Sequence, residues 1–150
     1  MENMEIWTCR LVRETSQVPM PKGGPKVQGP ADVARIMEAL HGASPVEHFV
    51  AFVLNSRHEI TGIVPISTGI LDASIVHPRE VFRAAILGNA AAIVIAHNHP
   101  SGDVTPSSED RQVTRLLKDA GAIIGIPCLD HVVVGRDAKF FAFSSEENHV

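Results

Sequence analysis

The longest strongly apolar run of this 150-residue chain covers seven residues, from 90 to 96. An uninterrupted apolar run of that length is typical of a central β-strand that is covered on both faces. It is far too short to span a membrane. Because apolar residues make up 45% of the chain, an intrinsically disordered protein is also excluded. The sequence therefore predicts a soluble domain that is built around one buried strand.

Periodic segments on both sides of that strand predict the other elements. Apolar residues at helical spacing indicate helices, whereas β-branched and aromatic clusters between turn residues indicate strands. The first predicted helix starts after Pro30 and ends near His41-Gly42, and two more cover Pro78–Leu87 and 106–121. The predicted strands cover 47–54, 60–67, 91–96, 123–126, 131–135 and 140–143. The first two of these strands read as an antiparallel hairpin, with Pro65 at an edge or a bulge. Helices interleaved with such strands predict a layered α/β or α+β domain with a mixed sheet.

The first thirty residues differ in composition from the rest. Residues 4–14 have the apolar content of one strand, and Pro and Gly fill half of positions 17–30. We predict a strand and an extended linker over residues 1–30, followed by one domain over 31–145. No signal-peptide run and no Cys-x-x-Cys motif occurs, which favours a cytoplasmic location with Cys9 and Cys128 as unpaired core residues.

A pair of histidines follows the apolar run. His97 and His99 are two positions apart, and residues i and i+2 of a strand point to the same face, so both imidazoles face one point. Thr105 as a cap and Pro106 as the first helical residue predict a helix whose opening turn carries Asp110. Two imidazoles, one carboxylate and a water form the ligand set of catalytic zinc, with one open position. The same ligands also suit other divalent ions.

These residues resemble the motif of the JAMM (MPN) metalloprotease family, in which an upstream Glu precedes His-x-His, seven residues, Ser, two residues and Asp. Four residues match that spacing without adjustment: His97, His99, Ser107 and Asp110. Residues 73–82, 96–110 and 129–135 are similar to the RadC-like branch of the family, and the resemblance extends over roughly 30–143. It implies an α/β fold with a mixed sheet flanked by helices, of cytidine-deaminase-like architecture. It also implies one zinc ion per chain and hydrolysis of a peptide, isopeptide or related amide bond.

The resemblance also suggests roles for individual residues. Glu47 corresponds to the upstream Glu and would be the general base. Ser107 would hydrogen-bond the developing oxyanion, although a serine there is also expected to satisfy a backbone amide at the helix start. His77 and His131 lie in matching stretches, and each would contact a metal ligand without binding the ion itself. His77 would alternatively contact the substrate or only cap its helix, and His131 would alternatively be an ordinary strand residue. Four histidines have no partner that spacing reveals: His41, His48, His58 and His149.

Two other functions are compatible with the sequence. The RadC name implies a DNA-repair or DNA-processing factor, and some MPN relatives are non-catalytic scaffolds. Thirteen Lys and Arg against seventeen Asp and Glu give a net charge of −4, which does not favour DNA because duplex affinity depends on cationic contacts to phosphates. Longer RadC-like chains also carry a helix-hairpin-helix segment, which the residues before Pro30 do not resemble. An intact ligand set argues against a scaffold. We therefore expect a peptide or isopeptide substrate and no membrane partner, and nothing in the sequence indicates an oligomeric state.

Overall fold

The computed structural model describes residues 8–10, 12, 26–69 and 76–147. Its elements in chain order are α1 (Pro30–His41), β1 (Glu47–Leu54), β2 (Ile60–Gly69), α2 (Pro78–Leu87), β3 (Ala92–Asn98), α3 (Ser108–Ile124), β4 (Cys128–Val134), β5 (Phe140–Ala142) and α4 (Ser144–Glu147). Of the strand predicted over 4–14, only residues 8–10 and 12 are described, and these belong to no strand, whereas most of the predicted linker lies outside the described residues. Within the described part, the predicted mixed sheet flanked by helices is confirmed.

The sheet has the strand order β2-β1-β3-β4-β5. β1 is antiparallel to both β2 and β3, whereas β3 is parallel to β4, and β4 is antiparallel to β5. A parallel pair needs a crossover, and α3 supplies it between β3 and β4. The predicted hairpin is confirmed. Pro65 lies on β2 at the edge of the described sheet, beside a bulge where Phe49 and Val50 of β1 face Ser67 and Pro65.

β3 separates two apolar cores, and every one of its residues is buried. Alternate side chains point to opposite faces of the sheet. Ile95 belongs to the same buried cluster as Phe82 of α2 and Leu117 of α3. Val94 belongs to the cluster that contains Met37 of α1. The prediction of a central strand covered on both faces is therefore confirmed.

α3 is longer than the sequence predicts. The periodicity places its end at Gly121, but the helix continues to Gly125, which caps it with a left-handed φ of 82°. Gly121 is buried inside the helix, where an added Cβ would lie 2.5 Å from the carbonyl oxygen of Ile126. A glycine is thus needed there for close packing and not for termination. The strand predicted over 123–126 is wrong, because these residues finish α3 and the following turn, and β4 begins at Cys128.

Of the two cysteines, Cys128 is buried as predicted, whereas Cys9 is exposed, so the prediction of a core position for Cys9 is wrong. Both thiols are unpaired. No helix within the described ranges has the length and apolar character that crossing a membrane requires.

Candidate metal centre

His97 and His99 stand at the carboxyl end of β3 and face the first turn of α3. Their Nε2 atoms are 2.9 Å apart. Oδ1 of Asp110 lies 3.1 Å from Nε2 of His97, and Oδ2 lies 3.5 Å from Nε2 of His99. His97 and Asp110 are buried, and His99 is partly exposed. One nitrogen or oxygen atom from each of the three residues lies within 4.8 Å of the others, so this triad could hold a metal ion.

Asp110 is held in place by the start of α3, which differs in detail from the predicted start. Ser107 and not Thr105 is the N-cap, and the helix begins at Ser108. The hydroxyl of Ser107 accepts a hydrogen bond from the amide of Asp110 (3.1 Å), and Oδ2 of Asp110 accepts one from the amide of Ser107 (2.7 Å). The Thr105 hydroxyl donates to Asp103 within the loop. The Ser-x-x-Asp spacing is the sequence signal of this capping box.

The loop between β3 and α3 sets the tautomer of His99. Nδ1 of His99 lies 2.6 Å from the carbonyl oxygen of Asp103. Because a carbonyl can only accept a hydrogen bond, we assign a proton to Nδ1. In the neutral ring Nε2 then carries a lone pair that faces His97 and Asp110, as a metal ligand requires. Gly102, with a φ of 86°, supplies the tight turn that brings this loop back over the end of the strand.

The acid and the imidazoles change each other's pKa values. Burial alone would raise the pKa of Asp110, but its hydrogen bonds with His97 and His99 outweigh burial and hold that pKa well below its usual value. Asp110 is therefore the anionic member of the set at neutral pH. The hydrogen bond to Asp110 raises the pKa of His99 against the effect of burial, and the charge of Glu47 raises it further.

A third histidine lies behind His97. Nε2 of His131 on β4 is 2.8 Å from Nδ1 of His97, and Nδ1 of His131 is 2.6 Å from the hydroxyl of Thr114 on α3. Complete burial, with the neighbouring His97 as a smaller cause, lowers the pKa of His131 well below its ordinary value. The sequence points to His131 only through a motif that resembles a family. The sequence gives no signal for Thr114, because it is one of several polar residues on α3 and matches no motif.

β1 brings Glu47 to the same end of the sheet. Phe49 pairs with His97 in antiparallel register. Glu47 precedes Phe49 by two positions, and His99 follows His97 by two positions. Because the two strands are antiparallel, Glu47 and His99 lie at the same end of the β1–β3 pair and on the same face of the sheet. The influence of Glu47 on the pKa of His99 agrees with this proximity. Spacing along the chain does not reveal it, because fifty positions separate Glu47 from His97.

The other histidines lie apart from the triad's hydrogen bonds. His77 is exposed at the N-cap position of α2 and makes no capping hydrogen bond through its side chain. Spacing reveals no partner for His41 or His48, but their rings stack with centroids 3.9 Å apart. Nε2 of His48 also forms a hydrogen bond of 2.7 Å with the hydroxyl of Ser44. His58 is exposed in the hairpin turn with a φ of 60°. His149 is outside the described residues.

Comparison with known proteins agrees with the resemblance carried by the motif. The sequence model of the RadC-like JAB domain matches residues 27–149. The chain is 49% identical over 126 residues to a UPF0758 protein of Rubrobacter xylanophilus, which covers 84% of this chain and 55% of the relative. It is 45% identical over 121 residues to UPF0758 protein SH1266 of Staphylococcus haemolyticus, covering 81% of this chain and 53% of that relative. The chain thus spans about half the length of the curated relatives it matches.

Proposed function

This chain belongs to the family of RadC-like JAB domains, and from that membership we propose that it is a zinc-dependent hydrolase of a peptide, isopeptide or related amide bond. Its mixed sheet flanked by helices agrees with the JAB/MPN fold. Hydrolases are common among JAB-domain proteins. The observation that carries the proposal is the convergence of His97, His99 and Asp110 on one point.

The donor set fits zinc in number, type and spacing. Two imidazole nitrogens and one carboxylate leave the fourth position of a tetrahedral ion open, which is the pattern of catalytic rather than structural zinc. The Nε2–Nε2 distance of 2.9 Å and the Nε2–Oδ distances of 3.1 and 3.5 Å are close to the edge of a tetrahedron with corners about 2.0 Å from the ion, which is about 3.3 Å. The low pKa of Asp110 supports its role as the anionic ligand.

A bound zinc ion would polarise the substrate carbonyl and lower the pKa of a bound water. In this proposal Glu47 takes the proton of the attacking water and returns it to the leaving amine. The hydroxyl of Ser107 donates a hydrogen bond to the developing oxyanion. When the Ser107 oxygen accepts the hydrogen bond from the Asp110 amide, it uses a lone pair and keeps its own proton. The hydroxyl can therefore cap the helix and still donate a hydrogen bond to the oxyanion.

Metal content tests the site first. We expect one zinc ion per chain in the wild-type protein, and a loss of zinc in both His97→Ala and Asp110→Asn. His58→Asn is the matched control, because His58 is an exposed turn histidine and asparagine tolerates its left-handed backbone. Equal zinc content in all four proteins would contradict the proposed ligands.

Hydrolysis tests the activity. The wild-type protein is screened against peptide, isopeptide and other amide substrates, with a chelator and after zinc is restored. We expect cleavage that the chelator abolishes and zinc recovers. A zinc-loaded protein that cleaves none of these substrates, or cleavage that is indifferent to the chelator, would overturn the proposed function. The alternative, a DNA-processing role, receives no support from the net charge of −4.

A further inference from the structure

We propose that Thr114 and His131 are positioning residues that place the proton of His97 on Nδ1, so that His97 presents an unprotonated Nε2 to the metal ion. This inference rests on the proposed function only in taking a metal ion as the occupant of the site. It concerns the direction of three consecutive hydrogen bonds, from α3 through β4 to β3.

The first hydrogen bond sets the direction of the others. The Thr114 hydroxyl lies 2.7 Å from the carbonyl oxygen of Asp110 and 2.6 Å from Nδ1 of His131. A hydroxyl has one proton, and a carbonyl oxygen can only accept, so Thr114 donates to Asp110. The contact with His131 is then a hydrogen bond only if Nδ1 of His131 carries the proton.

The second step follows from the surroundings of His131. This side chain is completely buried, stacked on Phe143 with ring centroids 5.0 Å apart and edge-on to Phe49 at 5.6 Å. A charged imidazolium between two phenyl rings would lose its hydration without an acid in hydrogen-bond contact, so the neutral ring is favoured. A neutral ring with its proton on Nδ1 has a lone pair on Nε2.

The third step reaches the metal ligand. Nε2 of His131 is 2.8 Å from Nδ1 of His97, so Nδ1 of His97 is the donor, and in the neutral ring its Nε2 carries a lone pair. Asp103 imposes the same tautomer on His99 through a different element. When both rings are neutral, two nitrogen lone pairs and a carboxylate thus converge, and a bound cation, or a proton taken up by one ring in the metal-free protein, relieves their mutual repulsion. The hydrogen bonds begin at the backbone carbonyl of Asp110, so one residue of α3 supplies the anionic ligand and also orients His97.

Removing the Thr114 hydroxyl should reverse this direction. In Thr114→Val, Nδ1 of His131 has no acceptor, and the tautomer with its proton on Nε2 becomes the better one because it can donate to His97. The proton of His97 then moves to Nε2, where it competes with the metal. We expect zinc affinity to fall about 10- to 100-fold, the usual cost of losing a group that orients a ligand. Thr114→Ser keeps the hydroxyl and should bind zinc as the wild type does.

The decisive measurement is the ¹⁵N NMR spectrum of the imidazoles in metal-free protein, at a pH where the rings are neutral, together with zinc affinity from chelator competition. The wild type and Thr114→Ser should show His97 protonated at Nδ1, and Thr114→Val should show it protonated at Nε2. Wild-type His97 protonated at Nε2 would overturn the inference without any variant. So would a Thr114→Val protein with the wild-type tautomer, or equal losses of affinity in the two variants.

These outcomes are separate from those that test hydrolysis. A wild-type protein that binds zinc and shows the expected tautomers but cleaves no substrate refutes the proposed function alone. An active zinc hydrolase whose His97 tautomer does not depend on Thr114 refutes this inference alone.

Discussion

Ser107 and Asp110 each accept a hydrogen bond from the other's backbone amide, at 3.1 and 2.7 Å, and so close the first turn of α3. The same Asp110 carboxylate faces both histidines of the candidate metal centre. The residue that stabilises the helix start is thus also the proposed anionic ligand. Variants at Ser107 must therefore separate a loss of capping from a loss of chemistry.

Replacing Ser107 in two ways makes that separation. Ser107→Ala should lower the free energy of unfolding by about 1 kcal/mol, whereas Ser107→Gly should cost only a few tenths, because glycine is a tolerated N-cap. Both variants lack the hydroxyl, so the proposed oxyanion contact predicts a similar fall in turnover of about 100-fold or more in each. Urea unfolding and substrate cleavage measure the two effects. If turnover falls in Ser107→Ala but stays near the wild-type value in Ser107→Gly, it depends on stability and not on the hydroxyl, and Ser107 has only the capping role.

Glu47→Gln should bind zinc normally but lose hydrolysis. Loss of a general base typically lowers turnover about 100- to 10,000-fold, and the amide keeps the size of the side chain. Glu59→Gln is the control, since Glu59 lies beyond the opposite end of β1 in the hairpin turn. Zinc content and turnover are measured on all three proteins. A Glu47→Gln enzyme as active as Glu59→Gln would remove Glu47 from the mechanism.

Zinc affinity should increase with pH through the range in which His99 loses its proton. The hydrogen bond to Asp110 raises the pKa of His99 above its ordinary 6.5, so in the metal-free protein its imidazolium is stabilised below that raised pKa and lost above it. Zinc must displace this proton, while Asp110 stays ionised because its pKa is well below its usual value. Chelator competition from about pH 5.5 to 8.5 should show the increase level off above the pKa of His99. An affinity that is flat across this range would contradict the assignment.

Gly121→Ala should destabilise the fold and weaken the metal site together. The added Cβ would lie 2.5 Å from the carbonyl oxygen of Ile126, so α3 must move away from the chain entering β4, at a cost of about 1–3 kcal/mol or more. That movement would also separate Thr114 from His131. Gly62→Ala is the control, because nothing lies within 4 Å of the Cβ it would add. In thermal unfolding and zinc titration, Gly121→Ala should be less stable and bind zinc more weakly than Gly62→Ala. Equal stability and equal zinc affinity of the two variants would contradict the packing role of Gly121.

The convergence of the three candidate ligands was predictable because it depends on local geometry. His97, His99 and Asp110 lie on a strand, a turn and a first helical turn, whose side-chain directions follow from backbone period and capping. The contacts of Glu47 and His131 were not predictable in this way, because they arise from strand pairing between distant segments. Periodicity also misplaced the end of α3, since it cannot distinguish a glycine that ends a helix from one that allows close packing. Gly121 is of the second kind.

The mixed pairing of β3 has a consequence for the order in which the site assembles. The three proposed ligands lie within fourteen consecutive positions, so closing the loop between them costs little chain entropy. Glu47 and His131 join only after β3 has paired with an antiparallel neighbour on one side and a parallel neighbour on the other, which are slower, long-range steps. A folding chain would therefore be able to capture an ion before Glu47, the proposed base, is in place, and the proposed hydrolysis would require the complete sheet.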